Sequence, residues 1–568
     1  MGSGTFWPPT SNQQRPQRQK VPDPIWQTGD IDSPVAIYCL AVGSIRVDAV
    51  GWHLPSGEEL FRDVSFSVGA GERVALIGAN GVGKTSLLRI VIGDSKPSEG
   101  RVSIDGRLGV MRQLVGMGDA SDGAATDVRG LLLSIAPDRI RAAADRLARA
   151  EAKLADDPMP YADALAAWGD VGGYDVEVAW DEACGRTLGV DFRDVADRPL
   201  RTLSGGEQKR LALEYLLRSE NDLLVLDEPD NFLDVPAKRW LERELNATKK
   251  AVLFVSHDRE LLAASASKIV TIEVSGSWTH GGGFDGYADA KQAHDDQRAH
   301  DAAMFDRERE RLEELVAEMR RRAKISEVFA PRLKAAESRL RQFLESNERP
   351  PDVREQQIDV RLRGARTGKR AVVMERLELQ GLTDPFDAEL WYGERIAVLG
   401  ANGAGKSHFL RLLAGGDVAH SGAWRLGANV VPGLFHQTHE HPEWVGRSPV
   451  EILHDHDVVL GPAMGMLRRY EIHGCAHQPF ETMSGGQQAR FQILLLEISG
   501  ATLLLLDEPT DNLDLVSAEA LEHGLERFDG TVIAVTHDRW FLRGFDRYLV
   551  FEPDCTVTDH HTLPDAWH

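Results

Sequence analysis

The sequence contains few cysteines and no long apolar segment, and each absence excludes a class of protein. Its 568 residues include only four cysteines, which lie far apart, so neither a disulfide framework nor a CxxC metal or redox site is indicated. Purely aliphatic runs such as Leu503–Leu506 are far shorter than the roughly 20 residues that cross a bilayer. We therefore expect a reduced, cytoplasmic protein without a transmembrane helix.

A net positive charge is also lacking. The chain has 65 Lys and Arg against 88 Asp and Glu, a net charge of −23, which argues against a protein that wraps nucleic acid over its whole surface. Any contact with a polyanion must be local. The length favours two or more domains. The first 30 or so residues are rich in Pro, Gln and Arg, so residues 1–44 are expected to be a disordered leader.

The rest of the chain repeats itself. Residues 78–85 and 400–407 both match the phosphate-loop pattern G-x-x-x-x-G-K-[ST], at an offset of 322. Three later motifs recur in the same order at one common offset of 280: Ser-Gly-Gly at 204–206 and 484–486, Asp-Glu-Pro at 227–229 and 507–509, and His-Asp-Arg at 257–259 and 537–539. Ordered recurrence in fixed register indicates two duplicated domains.

The two offsets differ, so the first copy carries extra residues between its phosphate loop and its Ser-Gly-Gly motif. The segments 139–154 and 161–168 in that interval have helical spacing, which predicts an enlarged helical subdomain over about 125–195. By contrast, residues 364–370 only resemble a phosphate loop. They have one residue too few between the glycines and no Ser or Thr after Lys369, and we interpret them as a linker.

Residues 287–370, between the two copies, predict a helical hairpin. A helix over 292–328 is followed by a second that ends before Pro350, and a helix of this length extends roughly 55 Å. Apolar residues at three-four spacing predict the seam where the helices pack: Phe305, Leu312, Leu315 or Val316, and Met319 on the first, and Leu333, Ala336, Leu340 and Phe343 or Leu344 on the second.

The hairpin is basic although the chain is acidic. Residues 304–370 contain 18 Lys and Arg against 13 Asp and Glu, and the excess is concentrated in a tip over about 320–341. The basic side chains of such a tip are expected to bind phosphates of rRNA, and salt weakens a contact of this kind. The alternative is a solvated charged face of a coiled coil.

The repeated motifs carry the chemistry of nucleotide hydrolysis. Each loop follows an apolar strand pattern and precedes a Leu-rich helical segment, so its glycines let backbone amides point at phosphates. The lysines neutralise phosphate charge, and a hydroxyl together with a carboxylate at the end of a buried strand suits Mg²⁺. The nucleotide-binding residues are Gly78, Asn80, Gly81, Gly83, Lys84 and Thr85 in the first copy, and Gly400, Asn402, Gly403, Gly405, Lys406 and Ser407 in the second.

The catalytic candidates follow the same register. Thr85 with Asp227, and Ser407 with Asp507, are expected to hold Mg²⁺, while Glu228 and Glu508 are placed to polarise the attacking water. The groups expected near the γ-phosphate are Gln113 and Gln437, which we also count among the Mg²⁺ ligands, and His257 and His537.

The Leu-Ser-Gly-Gly-Glu-Gln motif at 203–208, the Asp-Glu-Pro strand ends and the following histidines resemble ATP-binding-cassette ATPases in both halves of the chain. Two cassettes joined by a long charged hairpin resemble the ABC-F family, which acts on ribosomes. The resemblance implies an α/β fold with two P-loop cassettes in tandem, at 45–286 and 371–568, joined by the α-helical hairpin linker at 287–370. It further implies a monomer whose cassettes pair head to tail, enclosing two ATP molecules. Each site would join one phosphate loop to the signature of the other cassette, namely Ser484, Gly485 and Gly486 for the first site and Ser204, Gly205 and Gly206 for the second.

Some positions depart from the family pattern. The usual Asp-Glu-Pro-Thr-Asn-His-Leu-Asp appears as Asp-Glu-Pro-Asp-Asn-Phe-Leu-Asp at 227–234 and as Asp-Glu-Pro-Thr-Asp-Asn-Leu-Asp at 507–514. We therefore expect cross-talk between the sites to differ from that of the family. Trp52, upstream of the first loop, is a candidate for stacking on adenine or a core residue.

The segment 350–370 resembles that of actinobacterial family members associated with resistance to macrolide-type antibiotics. This implies a hairpin that enters the tRNA exit site of the ribosome, contacts rRNA and tRNA, and acts near the peptidyl-transferase centre. No DNA partner is expected. The alternatives are a housekeeping translation factor of the same family and the ATP-binding subunit of a drug exporter.

Overall fold

The computed structural model describes residues 43–54, 57, 59–112, 125–154, 157–351, 358–436 and 441–567. The predicted leader therefore lies almost wholly outside the described residues. Its predicted boundary is wrong at Ser44, because this residue opens the first strand. Gln113 and Gln437 also lie outside the described residues.

The N-terminal half contains two sheets and nine described helices. Its strands are β1 Ser44–His53, β2 Glu59–Val68, β3 Arg73–Ile77, β4 Glu99–Asp105, β5 Leu108–Met111, β6 Leu223–Asp227, β7 Ala251–Val255, β8 Lys268–Glu273 and β9 Gly276–His280. Its helices are α1 Lys84–Val91, α2 Val128–Ser134, α3 Asp138–Glu151, α4 Met159–Asp170, α5 Gly173–Leu188, α6 Phe192–Val195, α7 Gly205–Arg218, α8 Val235–Ala247 and α9 Arg259–Ser265.

A six-stranded sheet in the order β5-β6-β7-β3-β8-β9 forms the centre of this half, with only β9 antiparallel. Strands β6 and β7 are buried throughout, as expected for parallel strands covered on both faces. Since parallel strands end at one edge, the residues that follow β3, β6 and β7 meet there. A separate antiparallel sheet has the order β2-β1-β4.

The helices predicted over 139–154 and 161–168 are present as α3 and α4. They belong to a helical segment whose interior is aromatic. The ring centroids of Trp180 and Phe192 lie 5.2 Å apart, and Trp168 and Tyr215 pack beside them. These rings form one core with α7, the helix that begins at the first Ser-Gly-Gly motif.

The hairpin consists of α10 Tyr287–Ala323 and α11 Ala330–Ser346. The predicted extension of the first helix to residue 328 is wrong, because Ser326 has an extended backbone and a short 3₁₀ turn follows at Glu327–Phe329. The predicted seam is confirmed where Phe305 meets Phe343, with ring centroids 5.0 Å apart. Among the predicted seam residues, Leu312, Val316 and Ala336 are buried.

The C-terminal half repeats the arrangement. Its strands are β10 Arg370–Leu379, β11 Phe386–Trp391, β12 Arg395–Gly400, β13 His420–Leu426, β14 Pro432–Phe435, β15 Leu503–Asp507, β16 Thr531–Val535, β17 Arg547–Phe551 and β18 Val557–His560. Its helices are α12 Lys406–Leu413, α13 Pro449–Asp455, α14 Leu460–Arg469, α15 Gly485–Ile498 and α16 Leu515–Glu526. The sheets have the orders β14-β15-β16-β12-β17-β18 and β11-β10-β13.

Candidate functional site

The first phosphate loop lies between β3 and α1 and requires glycine at several positions. Gly78 has φ +155°, and a Cβ on it would lie 2.7 Å from the carbonyl oxygen of Ile272. Gly83 has φ +103° and caps α1. Lys84 Nζ donates to the carbonyl oxygens of Gly78, at 2.8 Å, and Ala79, at 3.2 Å. The loop thus curls around a cation at a helix N-terminus, a geometry that binds phosphate.

The second loop has the same geometry between β12 and α12. A Cβ on Gly400 would lie 2.7 Å from the carbonyl oxygen of Phe551. Lys406 Nζ donates to the carbonyl oxygens of Gly400, at 2.7 Å, and Ala401, at 2.9 Å. Burial lowers the pKa of both Lys84 and Lys406, and neighbouring carboxylates oppose that change. A buried, poorly hydrated ammonium interacts strongly with a phosphate.

Asp227 and Asp507 end the buried strands β6 and β15 beside these loops. Ser407 Oγ donates to Asp507 Oδ1 at 3.1 Å, so the hydroxyl and carboxylate predicted to share Mg²⁺ are in contact. In the first half, Asp227 Oδ1 is buried and has no hydrogen-bond partner among the described residues. Burial and Glu228 raise the pKa of Asp227 to about 7. A buried carboxylate oxygen without a protein partner fits a hard divalent cation.

Glu228 and Glu508 both have a left-handed backbone, with φ of 49° and 47°. Non-glycine residues held this way are typical of functional sites. The backbone amides donate to Val255 and Val535 on the adjacent strands, each at 3.0 Å. The carboxylates differ in their partners. Glu228 Oε2 accepts from Asn231 Nδ2 at 2.7 Å, whereas Glu508 Oε2 accepts from the backbone amide of His537 at 3.0 Å.

His257 and His537 follow β7 and β16 at the same sheet edges. Burial, followed by the positive charge of Lys84 or Lys406, moves the pKa of each imidazole well below its usual range. Both rings are therefore neutral near pH 7, and each can donate one hydrogen bond and accept another. His537 Nε2 lies 3.6 Å from Glu508 Oε1.

The Ser-Gly-Gly motifs form the N-termini of α7 and α15. Ser204 Oγ accepts from the amide of Glu207 at 3.2 Å, and Ser484 Oγ accepts from the amide of Gln487 at 3.4 Å. Each serine belongs to a capping box. The free amides of the first turn and the positive end of the helix dipole thus face outward, where a negative ligand is favoured.

The two halves face each other head to tail. Asn80 of the first loop donates from its backbone amide to Asp514 Oδ2 and from Nδ2 to the carbonyl oxygen of Asn512, both at 2.9 Å. A Cβ on Gly486 would lie 2.1 Å from Asn80 Nδ2. Symmetrically, Asn402 Nδ2 donates to the carbonyl oxygen of Phe232 at 3.2 Å. Each phosphate loop therefore contacts the motifs of the opposite half.

A cavity of about 800 Å³ lies between the first phosphate loop and the second signature motif. Of the predicted first-site residues, Gly78 and Asp227 do not line it, and those that do are Asn80, Gly81, Gly83, Lys84, Thr85, Glu228, His257, Ser484, Gly485 and Gly486. Trp52 is not among the lining residues. It packs against the core of the N-terminal half, and Leu54 and Leu60 line the cavity instead. The structure thus places Trp52 with the core.

Several residues of the interface were missed from the sequence. Asn512 and Asp514 follow the second Asp-Glu-Pro motif and contact Asn80. The head-to-tail pairing that the family resemblance implies was the signal from which this contact could have been predicted. Lys209 and Lys238 gave no signal, because the corresponding positions in the second copy are alanines. Both lysines are buried, and Lys238 lines the cavity.

A family model described as "ABC transporter" matches residues 61–129 and 383–511, which contain both phosphate loops. The molecule is therefore a tandem pair of ATP-binding cassettes. None of the helices in the described segments is long and apolar enough to cross a membrane.

The chain is 50% identical over 548 residues to an "Antibiotic resistance protein" of Mycobacteroides abscessus, covering 91% of this chain and 98% of that relative. It is 32% identical to the "Tylosin resistance ATP-binding protein TlrC" of Streptomyces fradiae, over 84% of this chain and 91% of the relative. It is 29% identical to the "Energy-dependent translational throttle protein EttA" of Mycobacterium tuberculosis, over 87% and 88% respectively. The chain belongs to the ABC-F family and is an ATPase, which hydrolyses ATP to ADP and phosphate.

Proposed function

We propose that this chain is a cytoplasmic, ribosome-associated ATPase that gives resistance to a macrolide-type antibiotic by ribosomal protection. The observation that carries the proposal is the tip of the hairpin. Ile325 and Val328 there are 86% and 77% exposed. The guanidinium groups of Arg322 and Arg332 lie 6.0 and 5.7 Å from the centroid of the Phe329 ring. Apolar side chains and an aromatic ring among arginines suit stacking on unpaired bases and contact with phosphates.

The comparisons support this reading. One relative is named for antibiotic resistance, a second for tylosin resistance and a third for throttling translation. The hairpin would reach the tRNA exit site and the peptidyl-transferase region, where it would dislodge the drug. Because Ser44 opens β1 and Arg370 opens β10, we assign residues 44–286 and 370–568 to the cassettes and 287–369 to this linker.

At each ATP site, the phosphate loop of one cassette and the Ser-Gly-Gly motif of the other would hold the triphosphate. Lys84 and Lys406 would neutralise phosphate charge, and Glu228 and Glu508 would orient and deprotonate the attacking water. Mg²⁺, when bound by Thr85 with Asp227 and by Ser407 with Asp507, supplies charge neutralisation at the phosphates.

The hairpin is tied to both halves, so closure would change its pose. At its start, Tyr287 Oη lies 2.9 Å from Thr271 Oγ1, and Arg298 forms an ion pair with Glu273. Thr271 and Glu273 both belong to β8. At its exit, the amide of Arg361 donates to Glu497 Oε2 at 3.1 Å. Glu497 belongs to α15, the helix that begins at the second signature motif. Movement of that motif relative to the first cassette would thus be transmitted to the linker.

The direct test is cell-free translation inhibited by increasing concentrations of a macrolide. The wild-type chain with ATP is expected to raise the concentration that halves synthesis. A chain that changes translation without drug but leaves this concentration unchanged would instead favour the housekeeping factor. A chain found only in the membrane fraction of cells would favour the exporter subunit.

A further inference from the structure

Two lysines of the first cassette are buried at the interface with the second. Lys209 lies on α7 and Lys238 on α8, with 1% and 7% of their surfaces exposed. The repeat places Ala489 and Ala518 at the corresponding positions of the second cassette. Buried lysines are rare unless their charge is paired. These two cations are therefore a feature of one cassette alone.

Lys238 contacts the histidine loops of both cassettes. Its Nζ lies 2.9 Å from Asp258 Oδ2 and donates to the carbonyl oxygen of His537 at 3.3 Å. Asp258 follows His257 directly and caps α9, since its Oδ1 accepts from the amide of Leu261 at 2.9 Å. One ammonium group therefore joins the loop that carries His257 to the loop that carries His537.

Carboxylates balance the lysines. Asp230 and Asp511, two positions where the sequence departs from the family pattern, act on Lys238 together with Asp258. Burial alone would lower the pKa of Lys238, but these carboxylates raise it above its usual value. Lys209 Nζ donates to the carbonyl oxygen of Glu228 at 2.5 Å, and Asp230 and Asp511 also stabilise its charge. The additional acidic and basic residues thus compensate one another at the interface.

We propose that Lys238 is a positioning residue that couples the two ATP sites by holding both histidine loops at once. A loop that moved alone would remove one of the two direct contacts of a buried ammonium group, which is costly. The two loops are therefore held in one joint arrangement, and a change at one site is felt at the other. The inference rests on the proposed assignment of His257 and His537 to the two sites.

The test measures ATP hydrolysis by the purified full chain without ribosomes, so it does not depend on the proposed ribosomal role. Glu508→Gln leaves the first site active and Glu228→Gln leaves the second. We expect the native rate to exceed the sum of the two single-site rates at least twofold. When the same three rates are measured in the Lys238→Met background, the rate with both sites intact should equal the sum of the two single-site rates.

Lys250→Met is the matched control. Lys250 Nζ donates to carbonyl oxygens of Leu216 and Ser219 inside the first cassette, and the excess should persist.

Asp258→Asn provides a second variant that keeps the volume and the helix cap but removes the ion pair, and it should also abolish the excess. The proposal is overturned if the native rate already equals the sum, or if the excess survives in both Lys238→Met and Asp258→Asn. It is equally overturned if Lys250→Met abolishes the excess. If neither glutamine variant slows hydrolysis, the site assignment fails and the coupling falls with it.

Discussion

At the residue scale, the two glutamates proposed as general bases have different environments. Asn231 donates a hydrogen bond to Glu228, but the repeat places Asp511 at the position that corresponds to Asn231, and a carboxylate cannot donate. Burial, followed by Asp511, raises the pKa of Glu508 to about 8. Glu508 is then mostly protonated at pH 7, so on the proposed assignment the second site has little active base at neutral pH.

Asp511→Asn should therefore speed hydrolysis at the second site. Removing the neighbouring negative charge lowers the pKa of Glu508, and each unit of that decrease raises the ionised fraction at pH 7 up to roughly tenfold. The measurement is the pH dependence of ATP hydrolysis in the Glu228→Gln background. With Asp511 present the rate should rise between pH 7 and 9, and in the Asp511→Asn variant the rise should shift to lower pH. In the Glu508→Gln background the substitution should give no gain; an equal gain there would contradict the account.

Gly486→Ala should prevent the cassettes from closing. The added Cβ would lie 2.1 Å from Asn80 Nδ2 and 2.9 Å from the carbonyl oxygen of Asn512, so the signature must move away. Displacement by about 1 Å costs on the order of a hundredfold in rate. Gly465→Ala, in the interior of α14 with open space around it, is the control and should leave the rate unchanged while stabilising the fold by up to about 1 kcal/mol. Equal rates for the two variants, measured as ATP hydrolysis, would contradict the closed geometry.

Residue patterns predicted the phosphate loops, the strand-end carboxylates and the signature serines, because each needs a backbone geometry that few sequences provide. Trp52 was less determined, since an aromatic side chain packs equally well on a base or in a core. The interface lysines were invisible, because their charge is explained only by carboxylates from distant parts of the chain, such as Asp258 and Asp511.

At the scale of elements, the local sequence pattern of the hairpin predicted where its helices pack but not where the first helix ends. Three-four spacing predicted the seam, including the pair Phe305 and Phe343. The end of α10 was placed five residues too late, because residues 324–328 are compatible with a helix by composition and the reversal of the chain decides where the helix stops.

Substitution of the exposed tip should separate drug protection from ATP hydrolysis. Ile325→Ser with Val328→Ser removes apolar surface that touches no core, so the fold and the hydrolysis rate should be unchanged. Protection of cell-free translation against the drug should fall severalfold or more. Val459→Ser, at a position 63% exposed and remote from the hairpin in sequence, is the control and should keep full protection. Loss of hydrolysis together with protection would show that the tip has no separate role.

At the scale of the whole molecule, duplication predicted two similar cassettes, whereas their head-to-tail contact followed only from the family resemblance. Among the residues that the structure describes, three ion pairs cross the interface: Arg259 with Glu522, Arg539 with Glu242, and Arg543 with Glu260. No local pattern in the sequence identifies such partners, since each pair joins residues more than 250 positions apart.

The distribution of charge predicts how binding responds to salt. An acidic chain with a basic tip should contact ribosomal RNA through few phosphates, so the affinity should fall with salt less steeply than for a protein that is basic throughout. Replacing Arg321, Lys324 and Arg332 by Gln should make the fall of log affinity with log salt less steep. The magnitude of the slope should decrease by about one for each cation removed. The slope is measured by ribosome binding over a salt series. Equal removal of Arg101, Arg425 and Lys96, remote from the hairpin in sequence, should leave the slope unchanged; an equal decrease would place the contact elsewhere.

The most direct test of the account is sedimentation of 70S ribosomes with the Glu228→Gln and Glu508→Gln double variant, with and without ATP, at two salt concentrations. The variant keeps the shape of both sites but lacks the general bases, so bound ATP should hold the cassettes closed. We predict that the protein pellets with ribosomes only when ATP is present, and less at the higher salt concentration. Protein that stays in the supernatant under every condition, while wild-type chain hydrolyses ATP, would contradict a ribosomal ATPase.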